Sequence, residues 1–151
     1  MDALKKFLKS QRLLALAVHG ENGPWIANVY FGSDDVNRLY FISSDTNIHS
    51  LMILKDPRVA FSTAWFDPTN HGDRKGVQGK GVCRPAKNDE EIAVGVRLHN
   101  ENFPEFKKKV TTDWIRTNAG GSTVWVVEPS YMKYWDDAVY GDDESEEFAI
   151  G

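Results

Sequence analysis

One cysteine, Cys83, is all the sequence has, so no disulfide framework can hold the fold, and the reducing cytosol is the expected compartment. Long apolar runs are missing too: nothing approaches the roughly 20 residues that carry a helix across a bilayer, and no membrane partner is expected. Lys5, Lys6, Lys9 and Arg12 ahead of Leu13 to Val18 superficially resemble an export signal. That run is short and passes directly into the turn Gly20-Glu21-Asn22-Gly23, so it reads as a strand. No stripe of basic residues interleaved with aromatics is present, which argues against nucleic acid as a partner. The net charge is −4, but Asp142, Asp143, Glu144, Glu146 and Glu147 all fall in the last ten residues, leaving the body near neutral. Also absent are a phosphate-binding P-loop, a dinucleotide fingerprint and a nucleophile elbow. His19, His49, His71 and His99 show no three- or four-residue pairing, so no metal site is expected.

What is present suits one ordinary domain: 151 residues, 41% hydrophobic and 12% aromatic. Leu4, Phe7 and Leu8 share one face of a short helix over 2–10. Apolar, β-branched or aromatic runs at 12–19, 24–32 and 38–44, separated by turn formers, read as an antiparallel meander. Residues 47–55 switch to helical period, with Asp45, Thr46 or Asn47 as N-cap and Asp56-Pro57 as the stop. Strand character returns over 58–66 and 76–84 after the polar loop Asp67 to Lys75. Asn88 with Glu91 forms a capping box for a helix to about Asn102, and a second helix is expected after Pro104 toward Trp114. The last strand, Ser122 to Trp135, contains Pro129, which implies a bend, an edge or a bulge. The expected fold is mainly β: a six-stranded antiparallel barrel with helical insertions over residues 1–141, and a mobile acidic tail over 142–151.

Two segments carry chemistry. From Tyr40 to Ser50 a strand runs straight into a helix whose start is lined by Ser43, Ser44, Thr46, Asn47 and His49. Unpaired main-chain N–H groups and the positive end of the helix dipole suit such a place to phosphate, although the same residues also serve as ordinary caps and turns. In the second segment, Trp25 to Phe31, one amide, Asn28, sits in an almost wholly apolar strand. If buried it must find partners, which the edge of a heteroaromatic ring would supply; a structural or solvent-facing Asn is the alternative.

Gly23-Pro24-x-x-Ala27-Asn28-Val29-Tyr30-Phe31, then Leu39 to Ser44, then a helix ending at Asp56-Pro57-Arg58-Val59-Ala60, then Gly76-Val77-Gln78-Gly79-Lys80-Gly81 together resemble the FMN-binding split-barrel superfamily typified by pyridoxamine phosphate oxidase. The similarity covers about residues 10–85, and Met132 to Asp137 resembles the family's final strand. It implies a homodimer with FMN where two subunits meet and main chain from Ala27, Asn28, Val29 and Tyr30 along the flavin ring. Ser43 and Ser44 would lie near the ribityl phosphate. Asn47 and His49 stand where the family commonly has Ser and Lys, and Ile48 replaces a frequent phosphate-binding Arg. Gln78 either faces the cofactor or points outward on its strand, and Tyr134, Trp135 and Tyr140 either cover the flavin or belong to the core. The counterparts of the oxidase's substrate-binding Arg and His are missing, so oxidation of pyridoxamine phosphate is not expected. The resemblance implies a flavin-dependent oxidoreductase of small molecules, with no named catalytic residue. A haem or flavin carrier, or a deazaflavin-dependent reductase, are the alternatives on the same barrel.

Overall fold

The computed structural model describes residues 1–151. Helix α1 (Asp2–Ser10) leads into β1 (Leu13–Gly20), β2 (Gly23–Ser33) and β3 (Leu39–Ser44); α2 (Ile48–Lys55) separates these from β4 (Arg58–Trp65) and β5 (Lys75–Pro85). Then follow α3 (Asp89–Asn102), α4 (Thr112–Arg116), β6 (Ser122–Asp136), α5 (Asp137–Tyr140) and β7 (Ser145–Ala149). Alternation decides the sheet. Leu14, Leu16 and Val18 on β1, and Val59, Phe61 and Thr63 on β4, are buried while the residues between them are not. Successive side chains on an extended chain point to opposite faces, so each strand offers one face to a common core. Leu4, Phe7 and Leu8 of α1 plug one end of that core, and Phe7 stacks on Tyr134.

The strand order is β3-β2-β1-β4-β5-β6-β7, all antiparallel, and β3 also pairs with β6 to close the ring. Two departures from expectation concern this order. There are seven strands rather than six. The seventh comes from the acidic end: Ser145–Ala149 pair with Tyr131–Trp135 of β6, and Phe148 enters the core opposite Met132. The reading of 142–151 as a tail outside the barrel is thus corrected for these residues. One apolar side chain facing inward suffices: Glu147 faces outward opposite Lys133, and Glu146, on the Phe148 side, accepts from the Tyr140 hydroxyl at 2.7 Å. The other departure is the helix expected after Pro104. It splits into a single 3₁₀ turn, Pro104–Phe106, and α4, because the Thr111 hydroxyl accepts from Trp114 N at 3.1 Å and starts a new helix.

Pro129 does mark a bulge. Lys80 pairs with Tyr131 but Gly81 with Pro129, leaving Ser130 as the extra residue. The box at α3 is half made: Asn88 Oδ1 accepts from Glu91 N at 2.9 Å, while the Glu91 carboxylate turns to both terminal nitrogens of Arg84 at 2.8 Å.

The outside of the barrel is covered unevenly. α3 and α4 lie over β3 and β6, forming a second cluster of Tyr40, Val96, Leu98, Val110, Ile115, Val124 and Val126. α3 also reaches the end of β2 at Gly32, but the outward side chains over most of β1, β2, β4 and β5 stay open: Leu13, Ile26 and Tyr30 are 49%, 66% and 63% exposed, beside the small residues Ala15, Ala17, Ala60 and Ser62. No helix is long and apolar enough to cross a membrane.

Candidate functional site

β2 and β3 pair only from Phe31–Ser33 to Leu39–Phe41. Beyond that they part: β3 continues along β6, while the remainder of β2 keeps only β1 as partner. This is the split in the barrel, and α2, which packs on β1 and β2, begins at the end of β3.

The junction is held from a distance. Asp45 N donates to Gly121 O at 3.0 Å, the Thr123 hydroxyl donates to the Asp45 carboxylate, and Trp125 Nε1 donates to Ser43 O at 3.3 Å. Ser50 Oγ donates to Ser44 O at 2.7 Å, and the Ser44 and Thr46 hydroxyls lie 3.2 Å apart. Asn47 is the N-cap, yet its side chain caps nothing. Instead its Nδ2 donates to Ser43 Oγ at 2.9 Å, and the same Oγ lies 2.8 Å from His49 Nε2. The first intrahelical bond is Leu51 N to Asn47 O at 3.1 Å, so the N–H groups of Ile48, His49 and Ser50 precede it unpaired.

The buried face of α2 mixes polar and apolar side chains, with Ile53 in the core beside two polar residues. His49 and Ser50 are buried, while Ile48, Leu51 and Leu54 are half exposed or more. Burial pushes the His49 pKa down, which keeps the ring neutral near physiological pH.

Of the residues expected at the site, Ser43, Asn47 and His49 form one hydrogen-bonded cluster, with Ser44 beside it. On β2, Val29 is a core residue, Ala27 is half-buried, and Asn28 and Tyr30 point to solvent, Tyr30 with its edge on Phe103 at 5.2 Å. Asn28 is therefore the solvent-facing alternative. Gln78 is exposed and lies apart: Asn28, Ala15, Ser62, Gln78 and Lys133 form one cross-strand row, which puts Gln78 three strands from Asn28, about 14 Å at the usual spacing. Tyr134 is a core residue bonded to Asp136 at 2.7 Å. Sequence reasoning missed Thr123 and Trp125, which hold the Ser43–Asp45 junction; they are 78 and 82 residues from their partners, and no local pattern signals them.

A cavity of about 440 Å³ between the β2–β3 turn and α3 is polar, but its cations are spent on carboxylates: Lys9 on Asp35, Arg38 on Asp34, Arg97 on Glu101. A second of about 560 Å³ lies on the uncovered sheet face, lined by Ala17, His19, Pro24, Arg58, Ala60 and Lys80 among others. No group of three or more His, Cys, Asp or Glu is placed to hold a metal ion.

No protein-family model matches the chain. A UPF0306 protein of Enterobacter sp. (strain 638) is 26% identical over 140 residues, which cover 92% of this chain and 89% of the relative. Among solved structures, a haem-binding protein from Mycobacterium smegmatis aligns with a TM-score of 0.74 at 16% identity, over 99% of this chain and 58% of that one. A protein of Listeria innocua named as a candidate pyridoxamine 5'-phosphate oxidase aligns with a TM-score of 0.68 at 14% identity, over 88% and 95%.

Proposed function

Because the chain has the split-barrel fold of the pyridoxamine phosphate oxidase-like proteins, we propose that the split between β2 and β3 holds FMN and that the protein is a flavin-dependent oxidoreductase. The observation that carries this reading is the Ser43–Asn47–His49 cluster, a hydroxyl, an amide and an imidazole joined at 2.8 and 2.9 Å beside three unpaired main-chain N–H groups. Such a donor set fits a phosphate, and the carboxylate in the turn, Asp45, is engaged by Thr123. Ile48 contributes no charge, so the donors that await the phosphate are neutral before it binds. Main chain from Ala27 to Tyr30 would lie along the ring. A bound flavin would supply hydride or electron transfer, while the chain binds it, orients it and keeps water away.

The uncovered face of β1, β2, β4 and β5 is where a second copy would pack, burying Leu13, Ile26 and Tyr30 against the flat alanine rows. Gln78, three strands from Asn28 on its own chain, would join the cofactor only across that interface.

The test is reconstitution. Purified protein incubated with FMN and passed through gel filtration should keep two broad flavin bands, elute as a dimer, and bleach with NADH or NADPH. A colourless product with no thermal shift on adding FMN overturns the reading. A second reading, haem binding, is favoured by the likeness to the M. smegmatis haem-binding protein. An intense Soret band on adding haem, without flavin retention, would select it.

A further inference from the structure

We propose that His49 makes the site prefer the phosphorylated flavin over the unphosphorylated one, by taking up a proton as the phosphate arrives. This rests on the flavin reading above.

The Ser43 hydroxyl has one hydrogen and two lone pairs. Asn47 Nδ2 fills one lone pair at 2.9 Å, and the remaining short contact is with His49 Nε2 at 2.8 Å. A neutral ring carries no charge in either tautomer, and in the Nδ1–H tautomer it also ties up the Ser43 hydrogen. A protonated ring must donate from Nε2. Both lone pairs of Ser43 are then filled, its hydrogen turns outward, and a positive charge stands behind it. Only the charged state therefore offers the mouth of the split both a free hydroxyl hydrogen and a cation.

Nothing nearby sets the charge of the ring in advance. On the elements packed against α2, His19 of β1 lies 3.9 Å from Asp56 and Cys83 of β5 is a buried thiol. Tyr40 of β3 is bonded to Asp34, Asp45 is bonded to Thr123, and Lys55 is at the far end of α2. Burial alone acts on His49 and holds it neutral. A phosphate monoester, with a charge of roughly −1.5 to −2 at neutral pH, opposes that burial directly, so its arrival raises the His49 pKa and draws in a proton. A ligand without phosphate has no such effect. The helix supports the assignment, because two of its three buried side chains are the polar His49 and Ser50, beside Ile53, while Leu51 and Leu54 stay half exposed or more.

Dissociation constants for FMN and riboflavin, measured by flavin fluorescence between about pH 8 and pH 6.5, test this. The preference for FMN should grow as pH falls, by up to about tenfold per pH unit for one linked proton. The ligand's own second ionisation works against that trend, so a rise belongs to the protein. In His49→Gln the rise should vanish. Should that variant not fold, calorimetry of the wild-type protein in two buffers of different ionisation enthalpy supplies the same answer: proton uptake with FMN and none with riboflavin. FMN binding with a pH-independent preference, or without proton uptake, overturns the proposal and leaves the flavin reading standing. If neither flavin binds at any pH, the flavin reading itself falls, and this proposal with it.

Discussion

Ser43 does more than its size suggests. Its hydroxyl joins the Asn47 amide to the His49 ring, and its carbonyl takes the Trp125 indole hydrogen. Ser43→Ala keeps the carbonyl bond and removes only the side-chain junction, so FMN affinity should drop by about tenfold, the worth of one hydrogen bond, with riboflavin affinity unchanged. Titration by flavin fluorescence reads both, and an equal loss for the two ligands would place Ser43 away from the phosphate. Under α3 a different residue governs acid stability. Hydrogen bonds from the Arg84 guanidinium hold the Glu91 carboxyl at about 2 against an ordinary 4.5. The pair therefore stabilises the fold fully above pH 4.5 and is lost as pH falls toward 2. The contribution is on the order of 3 kcal/mol, so Glu91→Gln should lose that much at pH 7 in urea unfolding and show a flatter decline in acid.

Among the elements, the β5–β6 ribbon leaves no room beside its bulge. A Cβ on Gly81 would come within 2.2 Å of Glu128 O, a main-chain atom fixed beside the bulge, whereas one on Gly20 would meet the flexible end of Met52 at 2.9 Å. Gly81→Ala should cost about 3 kcal/mol and Gly20→Ala less than about 1, compared by urea midpoints. The period of 2 in the strands and of 3.6 in α2 was visible in the residues, which is why six strands and three helices fall within two residues or so of their expected places. β7 was hidden for a physical reason: its two glutamates are exposed on either face, and only Phe148 reports a core contact. Phe148→Ala should lower stability by about 3 kcal/mol and speed amide exchange over 145–149 to that of an open loop. Similarly, the Ser43, Asn47 and His49 cluster was legible because its members lie within seven residues of one another. Gln78 was assigned by motif position, and only the cross-strand register separates it from Asn28.

At the scale of the whole molecule, one flank of the barrel is covered by α3 and α4 and the other is bare. If a second copy covers the bare flank, Ile26→Lys should give a monomer by sedimentation equilibrium with an unchanged circular dichroism spectrum, and flavin should be lost with the dimer. A flavin-loaded monomer would separate cofactor binding from assembly. The bare flank also shows what the chain lacks until late in its synthesis. β6 is the only partner that β3 has beyond Phe41, the only edge for β7, and the outer neighbour of β5. All three seams wait for residues 122–136, so a ribosome must deliver more than four-fifths of the chain before any of them can close. Until then the nascent meander offers open edges and oily faces, and holdase chaperones or a slowed translation rate should govern its yield more than any property of the finished barrel.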